Sequence, residues 1–373
     1  MNIQMVDLVT QYAKIKDDID SQIQQVIQSS VFVKGGKVLE FEENLKEYLN
    51  VGHVISCGNG TDALQIALMA LDLKEGDEVI TTPFTFVATL EVLVLLKLKP
   101  VLADVDPATF NIDPEQVKKC ITSRTKAIVP VHLFGQSAYM EPLIKLAKEN
   151  NLYIIEDACQ ALGTDYIFDD GSKVKAGTIG DIACNSFFPT KNLGAFGDGG
   201  ALYTNNNELA QTMRSVANHG MGKRYYYRQV GVNSRLDAIQ AAVLDVKLKH
   251  LDRYIQARQS AAAFYDEKLS GINGLVIPSR TSYSTHTFHQ YTIQVPGKRN
   301  ELQKFLQGKD IPSMIYYPHP LHIQEAYQFL GYRAGDFPVS EKLSQQVLSL
   351  PMHTELDDEQ LNYICSAIRE FFS

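Results

Sequence analysis

Lys191 stands in Asn185-Ser186-Phe187-Phe188-Pro189-Thr190-Lys191-Asn192-Leu193-Gly194-Ala195-Phe196-Gly197-Asp198-Gly199-Gly200, between an apolar run and a string of glycines. Most lysines are solvated surface residues. Here a proline precedes the lysine and glycines follow, as suits constrained backbone around a crowded ligand. A lysine so placed can lose its proton and bond an aldehyde as a Schiff base. Upstream, an apolar run ends in Glu156-Asp157-Ala158-Cys159-Gln160. A carboxylate at such a strand end needs a partner, either a cation such as a protonated pyridine nitrogen or a backbone cap. Gly58-Asn59-Gly60-Thr61-Asp62 leads straight into a helical pattern. A helix N-terminus can hold phosphate, or Thr61 or Asp62 can simply cap the helix. Thr82-Pro83-Phe84-Thr85-Phe86 offers an aromatic for a flat ring, or for core packing. Neither a GxxxxGK[ST] loop nor a GxGxxG turn is present.

The elements that must carry these groups follow from hydrophobic patterning. Continuous apolar runs at 53–57, 78–82, 100–103, 127–131 and 152–155 predict buried strands, with two more at 182–187 and 201–204. Helical stretches at 62–73, 87–98 and 140–150 alternate with them. This βαβα rhythm implies a mostly parallel sheet with helices on both faces. In such sheets ligands bind at the carboxyl ends of the strands, where the segments above fall. Beyond 206 the pattern predicts a helix at 208–218, a Tyr- and Arg-rich loop at 223–229 and one long helix from 234 to 269. A strand at 287–294, a helix at 299–309 and a terminal helix pair complete the reading. The chain length suits a large domain, residues 1–245, and a smaller α+β domain, residues 246–373.

Composition excludes several classes. The net charge of −8 argues against nonspecific nucleic-acid binding. No apolar stretch is long enough to span a bilayer, and no signal peptide opens the sequence. The five cysteines are widely spaced without a CxxC, as expected of reduced thiols in a cytoplasmic protein. His319 and His322 lie three apart without further ligands nearby, so no metal site is expected.

The block SFFPTKNLGAFGDGGA resembles the Schiff-base segment of the sugar-nucleotide aminotransferases of the DegT/DnrJ family, which are fold-type-I pyridoxal-phosphate enzymes. CGNGTDALQIALMAL, TTPFTFVAT, EDACQALG, NHGMG and GVNSRLDAIQAA resemble further blocks of that family in the same order. The resemblance implies pyridoxal 5'-phosphate as cofactor, bonded through Lys191. It implies Asp157 on the ring nitrogen, Gln160 near the phenolic oxygen, and Phe86 on the ring face. Gly60, Thr61 and Ser186 would hold the phosphate. Asn233 would reach the phosphate from a neighbouring subunit, so a homodimer with shared sites is implied. Lys191 argues against the dehydratase branch, which has histidine there. Retention of both Lys191 and Asp157 argues against a non-enzymatic regulator.

The implied reaction moves an amino group from L-glutamate to a keto-sugar nucleotide. RYYYRQVGVNSRLD and VLSLPMH are most similar to enzymes acting on carbon 3 of a UDP-linked 2-acetamido-3-keto-hexuronate, for bacterial surface polysaccharide. On that reading Arg235 faces the uronate carboxylate, with Tyr317 or His319 nearby, although Arg235 suits a helix cap or dimer contact equally. Tyr316 stands where the resemblance implies histidine. A neutral 6-deoxy-keto-sugar nucleotide, aminated at carbon 3 or 4, is the alternative substrate.

Overall fold

The computed structural model describes residues 3–373. Its centre is a seven-stranded sheet. In chain order the strands are β1 (His53–Cys57), β2 (Glu78–Thr81), β3 (Lys99–Leu102), β4 (Thr125–Ile128), β5 (Tyr153–Asp157), β6 (Ile182–Ser186) and β7 (Gly200–Thr204). Their spatial order is β1-β7-β6-β5-β4-β2-β3. The β6–β5–β4–β2–β3 pairings are parallel, and β7 runs antiparallel to both β1 and β6. β2, β6 and β7 are buried almost throughout, as expected where both faces are covered.

Two of the intervening helices matter for the site. Helix α1 (Gly60–Ala70) follows β1 and is capped by Asn59, whose side chain accepts from the Asp62 N–H. Helix α2 (Ala88–Leu95) follows β2 and is almost wholly apolar. Both pack into one core with Ile55, Val79, Ile155 and Cys184 from the strands.

The expected long helix over 234–269 is two helices, α3 (Ala238–Leu248) and α4 (Leu251–Leu269). No glycine or proline marks the break. Residues of α3 lie in the core with Phe41, Leu45 and Tyr203, whereas Ala261, Tyr265 and Leu269 of α4 belong to a separate C-terminal core. Leu251 and Ile255, at the start of α4, still belong to the first core, so α4 itself passes from one core to the other. Residue 245 therefore lies inside a helix packed on the N-terminal core.

The C-terminal core joins α4 to an antiparallel pair, β8 (Tyr291–Gln294) with β9 (Val347–Leu350), and to α5 (Asp358–Phe372). The expected terminal helix pair is thus a strand end followed by one helix, which Asp357 and Gln360 open with a reciprocal capping box. Ile3 also packs in this core. The Tyr- and Arg-rich loop forms a short exposed ribbon, Met221–Lys223 against Tyr226–Tyr227. No described helix is long and apolar enough to cross a membrane.

Candidate active site

The carboxyl ends of β1, β5 and β6 open into one cavity of about 810 Å³. Gly60 and Thr61 enter it from the first turn of α1, whose free N–H groups suit an anion. Gly60 is required by close packing: a Cβ there would lie 2.7 Å from the Ser186 Cβ. The β1–α1 turn and the end of β6 thus converge, bringing Gly60, Thr61 and Ser186 to one corner of the cavity.

Asp157 closes β5 with only 5% of its surface exposed. Its Oδ2 accepts from the Thr89 hydroxyl at 2.7 Å, and its Oδ1 from the Cys159 N–H at 3.2 Å. Its backbone is held on both sides, donating to the Pro130 carbonyl at 2.9 Å and accepting from the His132 N–H at 3.0 Å. Both side-chain donors are neutral, and Asp157 forms no ion pair among the described residues. A buried carboxylate is costly without a cation or a full set of hydrogen bonds, so this one calls for a positive group in the cavity.

Gln160 is oriented by its backbone partner. Its Oε1 accepts from the Phe134 N–H at 2.9 Å, which directs the amide nitrogen to donate to the Tyr317 hydroxyl at 3.2 Å. Burial raises the Tyr317 pKa, so this phenol stays protonated. Phe86 lines the cavity and is 55% exposed, so its ring is open to a flat group bound there.

Lys191 sits at the end of a turn, its N–H donating to the Phe188 carbonyl at 2.8 Å. The loop beyond folds back so tightly that a Cβ on Gly194 would lie 2.1 Å from the Pro189 carbonyl oxygen. Buried Lys247 of α3 donates to the Gly194 carbonyl at 2.6 Å and clamps that loop. Burial lowers the Lys191 pKa, outweighing the opposing pull of Cys159 and Asp157. The neutral amine, the form that attacks an aldehyde or takes a proton, is thereby favoured.

Pyridoxal phosphate fits these residues. Its pyridinium would compensate Asp157, its phosphate would meet the start of α1, and its aldehyde would lie on the Lys191 side. Two buried polar atoms on the cavity wall, Thr85 Oγ1 and His289 Nδ1, have no partner among the described residues and are available to bound groups.

The structure therefore gathers Lys191, Asp157, Gly60, Thr61, Phe86, Gln160, Ser186 and Tyr317 in one cavity. Tyr317, expected near the sugar, lines this cavity and accepts from the Gln160 amide. Three expected residues lie elsewhere in the chain. Asn233 is exposed and bridged to Asn218. Arg235 lines a separate cavity of about 320 Å³ together with Lys34 and Arg214. His319 is exposed on a loop outside the site. Ser234 connects the two regions, accepting from the Gly58 N–H at 2.8 Å and donating to Asp62. Sequence reasoning missed Thr89, Thr85, His289 and Gln290. Thr85 and Thr89 lie within the TTPFTFVAT block, in which only the aromatic stands out by residue type, and His289 and Gln290 fall inside the strand predicted over 287–294.

A mostly parallel sheet with a buried carboxylate and a lysine at its carboxyl edge defines a fold-type-I pyridoxal-phosphate aminotransferase. The chain belongs to the DegT/DnrJ/EryC1/StrS aminotransferase family, which it matches over residues 13–369. It is 47% identical over 374 residues to a Geobacillus stearothermophilus protein named "Pleiotropic regulatory protein", with 100% of this chain and 99% of that protein covered. It is 42% identical to the UDP-2-acetamido-2-deoxy-3-oxo-D-glucuronate aminotransferase of Pseudomonas aeruginosa, covering 98% of this chain and 99% of that one. Among solved structures, S. venezuelae DesV in complex with a ketimine intermediate superposes with a TM-score of 0.96 at 35% identity, covering 100% and 99% of the two chains. The protein is a pyridoxal-phosphate-dependent sugar-nucleotide aminotransferase.

Proposed function

We propose that this enzyme transfers an amino group from L-glutamate to carbon 3 of a UDP-linked 2-acetamido-3-keto-hexuronate, supplying an amino sugar for bacterial surface polysaccharide. The observation that carries the reading is the pairing, in one cavity, of a base-competent Lys191 with a cation-seeking Asp157, in a chain 42% identical to a uronate aminotransferase. The regulatory name of another relative does not weigh against it, since both residues are present and converge.

Bound pyridoxal phosphate supplies an electron sink and carries the amino group between the two substrates. The protein's own groups do the rest. Gly60, Thr61 and Ser186 hold the phosphate, and Phe86 covers one ring face. Asp157 keeps a proton on the ring nitrogen, and the Gln160 amide donates to the phenolic oxygen. The Lys191 Nζ would take the proton from the donor's α-carbon and deliver it to the carbon that the cofactor brings as its aldehyde, with the order reversed for the keto-sugar. Asn233 serves the phosphate of a second copy, so the working unit is a homodimer.

A second reading, a neutral keto-sugar nucleotide, is favoured by one observation. Lys191 is the only Lys or Arg lining the cavity among the described residues, and burial keeps His289 neutral. A uronate carboxylate would therefore need a cation from outside this chain's own pocket. Incubating the enzyme with glutamate and a panel of UDP- and dTDP-linked keto-sugars, with product mass spectrometry, tests both. Amination of the 3-keto-uronate in preference to neutral sugars supports the first reading. Preference for a neutral sugar overturns it.

A further inference from the structure

The buried hydroxyl of Thr89 has no evident structural duty. It lies in the first turn of α2, fully buried, and its one side-chain hydrogen bond goes to the Asp157 Oδ2 at 2.7 Å, across 68 residues of sequence. We infer that Thr89 is a positioning residue: its hydroxyl fixes the orientation of the Asp157 carboxylate, so that the carboxylate stays aimed at the ring nitrogen and holds the proton there. This inference rests on the reading of Asp157 as the partner of that nitrogen.

Three observations carry it. The carboxylate accepts from the Thr89 hydroxyl at one oxygen and from the backbone N–H of Cys159 at the other, and the Thr89 bond is the shorter. A buried carboxylate so sparsely held depends heavily on each donor. The two donors occupy different oxygens, so the carboxylate plane is set by one contact at each end. Thr89 is also rigidly placed. Its χ1 is restricted by β-branching, and its helix is packed in the main apolar core. The same segment presents Phe86 to the cavity three residues earlier, so ring face and ring nitrogen are referenced to one short stretch of backbone. Without the hydroxyl, one end of the carboxylate is free to turn away from the ring nitrogen it faces, and the electron sink weakens.

The test uses the cofactor-loaded enzyme and compares Thr89→Val, which keeps the shape, with Thr89→Ser, which keeps the hydroxyl, and with Asp157→Asn. Three readouts are taken: affinity of the apo-enzyme for pyridoxamine phosphate, the pH midpoint of the bound cofactor's visible absorbance, and kcat separately from KM. For Thr89→Val we expect kcat to fall roughly tenfold, the worth of one hydrogen bond to a charged group. KM for the keto-sugar should hold. Affinity for pyridoxamine phosphate should weaken several-fold. The absorbance midpoint should move in the direction that Asp157→Asn moves it, by less. Thr89→Ser should restore all three. Thr89→Ala gives the same comparison should the valine variant not fold. A wild-type midpoint and affinity in Thr89→Val, with both shifted in Asp157→Asn, overturns the role of Thr89. An unshifted midpoint in Asp157→Asn overturns the reading of Asp157 itself, and this inference with it.

Discussion

His132 and Glu156, both fully inaccessible to solvent, meet at 2.7 Å immediately behind the strand end that carries Asp157. The His132 Nδ1 accepts from the Ala138 N–H at 3.1 Å, which leaves Nε2 to donate to the carboxylate. Glu156 also accepts from the N–H groups of Gly177, Ile179 and Gly180. Burial alone would raise its pKa. The His132 contact and the Gly180 and Gly177 N–H groups outweigh burial and lower it. A lowered carboxyl pKa contributes stability that is complete above the ordinary value of 4.5 and is lost as pH falls through the folded value. Glu156→Gln turns an amide donor toward backbone donors and should cost about 2–4 kcal/mol, read as a lower midpoint in urea unfolding at pH 7. The gap from wild type should narrow on acidification below 4.5. A pH-independent gap would mean that Glu156 does not titrate with folding.

Lys191→Ala should abolish transamination while the protein still takes up pyridoxamine phosphate, because the phosphate and ring contacts come from other elements. Loss of both nucleophile and base is expected to lower the rate by at least about a thousandfold. Borohydride reduction of the wild type, followed by peptide mapping, should place the cofactor on Lys191. Attachment at another lysine refutes the assignment.

Asn233 is exposed in the single chain and makes no contact with that chain's cavity, as a residue serving a second copy would be. Lys191→Ala and Asn233→Ala chains should each be impaired alone, and their mixture should regain activity, because one site of each heterodimer is intact. Heterodimers that form without recovering activity would show that each site is complete within one chain.

Arg235 lies outside its own chain's catalytic cavity, its guanidinium donating to the side-chain Oδ1 of Asn218 at 3.5 Å. If its loop enters the partner's site beside Asn233, it supplies the cation that a uronate requires. Arg235→Ala should then reduce single-turnover amination of the uronate, starting from the pyridoxamine phosphate form, by roughly ten- to a hundredfold and spare the neutral counterpart. Equal losses on both sugars would assign Arg235 to the architecture of the loop or interface.

The chemistry of this protein was legible in contiguous segments, because each one solves a local backbone problem. GNGTD must end a strand and start a capped helix, EDACQ must end a buried strand in a carboxylate, and SFFPTK followed by glycines must fold tightly beside β6. Strand periodicity implied a parallel sheet, and the sheet implied that all three meet at one edge. What only the tertiary structure decided are the contacts between segments. Thr89 reaches Asp157 across 68 residues and Gln160 reaches Tyr317 across 157, and neither pairing has a local signal. The break between α3 and α4 is of the same kind, since no glycine or proline at Lys249–His250 marks it in the sequence. The place of Arg235 was decided in the same way: along the sequence it lies two residues from Asn233, and only the fold sets its side chain in a cavity separate from that of Lys191 and Asp157.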